Sequence, residues 1–354
     1  MNDEKYFVDT YKETALQIVE KIKDCKEILA PTLPENDPMR NEIVRFVLEG
    51  GKRFRPSLSY LTAKFYGMDD MYPHLALETF HKYLLTHDDI MDRDAMRYSA
   101  PTVHKKLEEI IHPYSNDDAE RLHFGNGLAI VAGDMMEAAT NKIIIRSQLE
   151  AETKIALCEL VAGAAEEAAF GWYDQLVMDY TDLDSKELSY QRIETSIIWV
   201  TGKYTMKFPL HFGFVIAGVV VPEGIDHLAD DLGVLFQTGD DLIGLFGDPD
   251  KTGKSNYGDI VQGKKTLPMW FTYTMANDSD KEVLKQLVGK KDLTHDEAQV
   301  VRAICERSGA LARSKELMRE YRDACLGQID GLDIPDDMKR FLRGFTEFLE
   351  KRDR

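Results

Sequence analysis

Cysteine is scarce. Four cysteines in 354 residues, Cys25, Cys158, Cys305 and Cys325, stand too far apart to form a Cys-x-x-Cys pair. That excludes a disulfide framework or a cysteine-built zinc site, and it fits a reducing compartment, so a cytoplasmic protein is expected. Long apolar runs are missing too. The longest, FGFVIAGVVV, is about half the ~20 residues that a spanning helix needs, and the opening MNDEKYFVDTYKE has no apolar signal core. No stable membrane insertion is expected. Positive charge is in deficit: 44 Lys and Arg against 62 Asp and Glu give a formal net charge of −18. Such a surface repels polyanions, which sets nucleic acid aside as a partner.

Three catalytic signatures are absent as well: a Ser-His-Asp or Cys-His set, a dinucleotide fingerprint and a true P-loop. GDPDKTGKS comes near the last, but its first glycine falls one place early and Asp248 stands where a P-loop needs glycine. The lead-in LFQTGDDLIGLF carries two adjacent aspartates, which repel phosphate unless a cation lies between them.

Strand-like alternation is rare, and helical spacing takes its place. In YKETALQIVEKIKDCKEIL, residues Ala15, Ile18, Val19, Ile22 and Ile28 share one broad face. Further helical patterns run over roughly 55–66, 73–97, 120–148, 150–180, 185–220, 224–246, 265–277 and 294–350. Long helices with short links predict an all-α fold, a large helical bundle forming one domain over residues 1–354.

The chemistry sits in three stretches. HDDIMDRDAMR puts Asp88 and Asp92 one helical turn apart, with Asp89 beside them. Like charges so close are either solvated or neutralised by a cation, and oxygen-only ligands favour Mg²⁺. GDDLIGLFGD supplies a second pair, Asp240 and Asp241, with Asp248 after it. EGGKRFRPSL places Lys52, Arg53 and Arg55 after a glycine pair at a helix start. Cations are disfavoured there by the helix dipole, which an anion would relieve. His81 shares a helix stripe with Asp88 and Asp92, and Arg97, Lys203, Lys254 and Lys264 are further candidate cations. Together they describe a diphosphate leaving as an anion, drawn off by metal ions and cations, with no protein nucleophile.

These stretches together resemble the trans-isoprenyl diphosphate synthases, or polyprenyl synthetases, from about Glu49 to about Pro268. GGKRFRP is similar to the family's GGKRxRP, HDDIMD to its first aspartate-rich motif with PTVH following, and AGDMM to the Gly-Asp pattern between the motifs. FQTGDDLIGLFGD with GKSNYGDIVQGKKTLP resembles the second aspartate-rich region. The resemblance implies a bundle around a deep central cavity, usually a homodimer, with several Mg²⁺ ions per site. It implies that Asp88, Asp92 and Asp240 hold the metal, with Asp89 and Asp241 in support. Arg97, Lys203, Gln237, Lys254 and Lys264 would clamp an allylic diphosphate. Lys52, Arg55 and His81 would hold isopentenyl diphosphate. Ionisation, attack by the isopentenyl double bond and proton loss to the departing pyrophosphate would complete the reaction.

The chain also departs from the family. Tyr98 follows Arg97 where a second arginine is usual, which predicts a raised KM for isopentenyl diphosphate that Tyr98→Arg would lower. Gly244 stands where a third aspartate is common. Tyr83 and Leu84, the fifth and fourth residues before the first motif, would form the pocket floor. One aromatic there resembles archaeal-type geranylgeranyl synthases, giving C20 as the first choice of product and C15 as the second. The competing readings are a terpene cyclase and a non-catalytic partner subunit of a prenyl synthase.

Overall fold

Acceptor side chains stand at many helix starts, so the boundaries there are set locally. Asp37 accepts from the backbone N–H groups of Met39 at 2.9 Å and Arg40 at 3.3 Å, with Pro38 in the first turn. Asp117 does the same for Ala119 and Glu120. Thr294 and Glu297 form a reciprocal capping box. The computed structural model describes residues 2–247 and 257–351. Its helices begin with α1 (Asp3–Lys21), α2 (Pro38–Leu48), α3 (Phe54–Phe65) and α4 (Ala76–Met91). A short hairpin follows, β1 (Met96–Arg97) and β2 (Ala100–Pro101), and then α5 (Val103–Leu107), α6 (Asp118–Arg146), α7 (Ala151–Asp179) and α8 (Tyr190–Ile197). A π-helical stretch, Ile198–Lys207, leads into α9 (Phe208–Ala217) and α10 (Ile225–Phe246). The remainder is α11 (Gly258–Gln262), α12 (Leu267–Met275), α13 (Asp278–Leu287), α14 (His295–Arg307), α15 (Ala310–Gly331) and α16 (Asp336–Lys351). The all-α class is as expected. All four cysteines are free, and among the described residues no helix is long and apolar enough to cross a membrane.

The chain packs as two compact units. One holds Asp9–Val161 and Pro209–Val221, and the other holds the remaining described residues. In the first unit α4 lies along α6. Gly133 of α6 makes this possible, because a Cβ there would overlap the His87 ring. Gly213 of α9 likewise lets the backbone approach α3, where a Cβ would stand 2.5 Å from the Ser59 carbonyl. In the second unit α10 packs on the π stretch, with Gly233 against Gly202. Phe341 and Phe345 of α16 meet Phe7 at ring-centroid distances of 5.1 and 5.2 Å. Each such buried aromatic stabilises the fold by roughly 1.5–3 kcal/mol.

Several boundaries differ from the sequence pattern. The helix expected over 73–97 stops at Met91, because the chain turns left-handed at Arg93 (φ 58°) and enters the hairpin. The single pattern over 294–350 is three helices, separated at Gly309 (φ 87°) and again before Asp336. Helix α13 was not anticipated; its cap Asn277 accepts from the Asp280 N–H.

Candidate active site

In the first unit, the acid-rich end of α4 is organised by one arginine. Arg97 donates through Nε to Asp89 Oδ1 at 2.7 Å, and its terminal nitrogen reaches Asp89, Asp88 Oδ2 at 3.3 Å and Asp94 Oδ2 at 3.5 Å. The hairpin supplies this arginine: Met96 pairs with Pro101 and Arg97 with Ala100. Burial pushes the Asp89 carboxyl up to about 7; Arg97 pulls the other way, and Asp88 and Asp94 add to the rise. Burial opposes the Arg97 charge, yet Asp89 and Asp88 hold its pKa raised. Asp92 lies one turn beyond Asp88, its N–H bonded to the Asp88 carbonyl at 2.8 Å. Tyr83 lies on the side of α4 that His87 turns toward α6, its ring 4.9 Å from that of His87, while Leu84 is buried.

The same unit carries the basic turn. Gly50 (φ 68°) and Gly51 (φ 83°) form a left-handed bend that other residues rarely adopt. Lys52 is exposed, and its carbonyl accepts from the Tyr11 hydroxyl. Arg55 donates to His81 Nε2 at 3.2 Å, so two residues expected to share one anion do meet. Burial first, then the Arg55 charge, hold His81 well below the ordinary histidine range; Nε2 accepts and the ring is neutral. Arg53 is a correction to the three-cation anion site. It turns inward, pairs with Glu78, and donates to the α2 carbonyls of Val47 at 3.1 Å and Leu48 at 2.7 Å. It therefore caps the C-terminus of α2.

In the second unit, α10 and the π stretch present the other set. Gln237 takes a hydrogen bond from Thr201 Oγ1 at 2.7 Å and gives one to Asp241 Oδ1 at 2.7 Å. Asp241 is buried, and burial raises its pKa well above the carboxylate range; Asp259 and Asp240 add to this, while Gln237 and Lys264 oppose it. Gly244 has a structural reason. A Cβ there would stand 2.6 Å from Asp259 Oδ2, so the absent third aspartate leaves room for a carboxylate from α11. Lys203 is held by Glu167 at 2.9 Å and lies 3.4 Å from the Trp199 ring centroid. Lys254 and Asp248 lie outside the described residues.

The donor set suits a hard divalent cation. The candidate ligands are all carboxylate oxygens, and among the described residues Asp89 Oδ2 is buried with no hydrogen-bond partner. Among those residues no three His, Cys, Asp or Glu side chains converge into a complete cage. Mg²⁺ does not need one, since it commonly shares one or two carboxylates with a substrate phosphate and water. Sequence reading missed Asp259, Glu167 and Thr201. Each becomes visible only through a partner far off in the chain, and only Asp259, in the quoted YGDIVQGKK stretch, carried a local hint.

A helical chain with an acidic pair on α4, another on α10 and a cationic glycine turn defines the class of all-α isoprenoid-synthase-type proteins. The polyprenyl synthetase family matches residues 37–306, and the chain belongs to that family. It is 29% identical over 331 residues to a geranylfarnesyl diphosphate synthase from Aeropyrum pernix, covering 89% of this chain and 95% of that one. It is 27% identical over 310 residues to a geranylgeranyl diphosphate synthase from Sulfolobus acidocaldarius, covering 84% and 86%. A solved geranylgeranyl pyrophosphate synthase from Corynebacterium glutamicum, complexed with isoprenyl diphosphate and magnesium, is 26% identical, with a TM-score of 0.81 and coverage of 99% and 100%.

Proposed function

We propose that this prenyltransferase condenses isopentenyl diphosphate with C5, C10 and C15 allylic diphosphates, making chiefly the C20 product, with C15 as the alternative end point. The observation that carries this is the company kept by α4. One helix bears both the Asp88–Asp89 pair engaged by Arg97 and the His81 engaged by Arg55. Two anion sites on one helix suit two diphosphate substrates, whereas a cyclase needs only one.

Asp88, Asp92 and Asp240 would hold Mg²⁺, with Asp89 and Asp241 in support. When bound, Mg²⁺ supplies positive charge that stabilises the departing pyrophosphate. Arg97 orients Asp88 and Asp89 and adds its own charge to the allylic diphosphate. Lys203, Gln237, Lys254 and Lys264 complete that clamp. Lys52, Arg55 and neutral His81 hold isopentenyl diphosphate, with Arg55 donating the charge-assisted bond. The allylic C–O bond breaks and its electron pair leaves with the pyrophosphate. The isopentenyl double bond then attacks the allylic cation, and a proton passes to the pyrophosphate. Tyr83 and Leu84 set the floor that stops growth. Residues 1–354 act as a single synthase domain, as a homodimer in the cytoplasm.

The test is product sizing. Labelled isopentenyl diphosphate is incubated with each of the C5, C10 and C15 primers, with Mg²⁺ or EDTA, and the dephosphorylated alcohols are separated. A C20 alcohol that EDTA abolishes is expected. No condensation with any primer overturns the synthase reading in favour of a partner subunit.

A further inference from the structure

Beneath the glycine pair lies a lysine that the mechanism above does not use. Lys82 of α4 is 0% exposed. Its Nζ donates to the Glu49 carbonyl at 3.0 Å and stands 3.8 Å from Glu78 Oε1, too far for a hydrogen bond. The Glu78 oxygen it faces is already taken by Arg53. Two aromatic faces close the cage: the Phe46 ring centroid is 4.6 Å from Nζ and that of Tyr98 is 4.4 Å. When Lys82 is protonated, it and Arg53 set two positive charges against the single carboxylate of Glu78, with the carbonyls of Val47, Leu48 and Glu49 at the end of α2 taking their hydrogen bonds.

That surplus points at the bend. A Cβ on Gly51 would be 3.6 Å from Lys82 Nζ and 3.2 Å from the Tyr98 hydroxyl, and one on Gly50 would be 2.6 Å from the Tyr98 ring. Tyr98 reaches this position from a two-residue hairpin turn in which both Tyr98 (φ 54°) and Ser99 (φ 60°) are left-handed. Non-glycine residues seldom hold that geometry unless something over-determines it. A buried, under-compensated cation behind an open backbone bend favours an anion on the other side.

We infer that Lys82 is a binding-site cation for isopentenyl diphosphate, acting from beneath the Gly50–Gly51 bend with the Tyr98 hydroxyl beside it. This rests on the synthase reading above. It also changes what is expected at position 98, since an arginine there would bring a second cation against Lys82, and a lowered KM for Tyr98→Arg alone no longer follows.

The site has a pH signature. Burial pushes the Lys82 ammonium down to about 7; Glu78 opposes this, and Arg53, Arg45 and Arg97 add to it. Tyr98 is pushed up to about 12, chiefly by burial, and stays protonated. An anion that prefers the charged lysine is therefore bound less well above pH 7. Steady-state kinetics of the full chain decide the matter. Lys82→Met, which fills the cage without charge, is expected to raise the KM for isopentenyl diphosphate ~10-fold or more. The KM for the allylic primer should stay within about twofold, as for a contact made only to the other substrate. The wild-type KM for isopentenyl diphosphate should climb from pH 7 to 8.5, beyond any trend in Lys82→Met. Lys82→Arg, always charged, should keep a low KM with a flat profile. Wild-type KM and pH profile in Lys82→Met, with only a lowered Tm, would make Lys82 a mere cap for α2 and overturn the inference. If Lys82→Met does not fold, an unchanged pH profile in Lys82→Arg overturns it. If the wild type condenses nothing, the synthase reading falls separately, and calorimetry with inorganic pyrophosphate in EDTA decides: weaker binding by Lys82→Met supports the anion site, and equal binding refutes it.

Discussion

At the scale of single residues, buried polar groups govern how this protein responds to its medium. His74 shows this away from the site. It is fully buried, Nδ1 meets Ser59 Oγ at 2.8 Å, and among the described residues Nε2 has no partner. Burial alone lowers its pKa to about 3. The ring is therefore neutral in the fold, while in the unfolded chain it takes up a proton near pH 6.5. Between those values the unfolded state binds more protons, so stability falls as the pH drops through 6.5 and keeps falling toward 3. The loss approaches ~1.4 kcal/mol per pH unit for one such group. His74→Gln should lower stability at pH 7, yet it should lose less than the wild type between pH 7 and 5 in urea titrations. Parallel losses in the two proteins would mean that His74 does not supply the acid sensitivity. Arg53 carries a different residue-scale lesson. Sequence grouped it with Lys52 and Arg55 as an anion ligand, but its left-handed backbone (φ 54°) turns the guanidinium inward to Glu78 and α2.

At the scale of elements, close helix crossings fix where the candidate site residues stand. Gly233 of α10 meets Gly202 of the π stretch so tightly that a Cβ would overlap the Gly202 backbone, and no side-chain rotation relieves that. Gly233→Ala should cost about 1–3 kcal/mol of stability. It should also reduce turnover by more than the lost folded fraction, because the π stretch carries Lys203 and α10 carries Gln237 and Asp241. Gly127→Ala on α6 is the control, since a Cβ there meets nothing within 4 Å. That change should be neutral or stabilising by roughly 0.5–1 kcal/mol. Thermal unfolding of both variants, with activity normalised to folded protein, separates the two cases; equal Tm values would refute the crossing as a constraint. Helix content was legible because apolar spacing is a local property. The breaks were less so. A glycine such as Gly309 reads as tolerable within a helical pattern until its backbone is seen at φ 87°, and the Tyr98–Ser99 turn carries none of the usual Asn-Gly signals of a tight hairpin.

At the scale of the whole molecule, legibility followed contiguity. Asp88, Asp89 and Asp92 are neighbours in sequence and could be found there, as could Asp240 and Asp241. Lys82 matters through Tyr98 and Phe46 elsewhere in the chain, and no spacing announces it, while Asp259 lies in a family-like stretch but shows its part only against Gly244. The proposed self-association is a whole-molecule prediction, and exposed apolar side chains give the places to test it. On α7, within the second unit, Phe170, Tyr173 and Val177 form an i, i+3, i+7 stripe with exposures of 50%, 67% and 45%. On α6, within the first unit, the adjacent Ile130 and Val131 are exposed to 47% and 43%. A water-facing apolar stripe on α7 and an exposed apolar pair on α6 are where a partner would be sought, and the proposed homodimer makes a second copy of the chain the partner to test. Sedimentation velocity should therefore give twice the chain mass of 40.4 kDa. Tyr173→Glu with Val177→Glu should shift the species to monomer while leaving helicity intact, because neither side chain contributes to the core. A monomeric wild type would remove the dimer. A dimer indifferent to the two glutamates would move the interface off the α7 stripe, leaving α6 to be tested by Ile130→Glu.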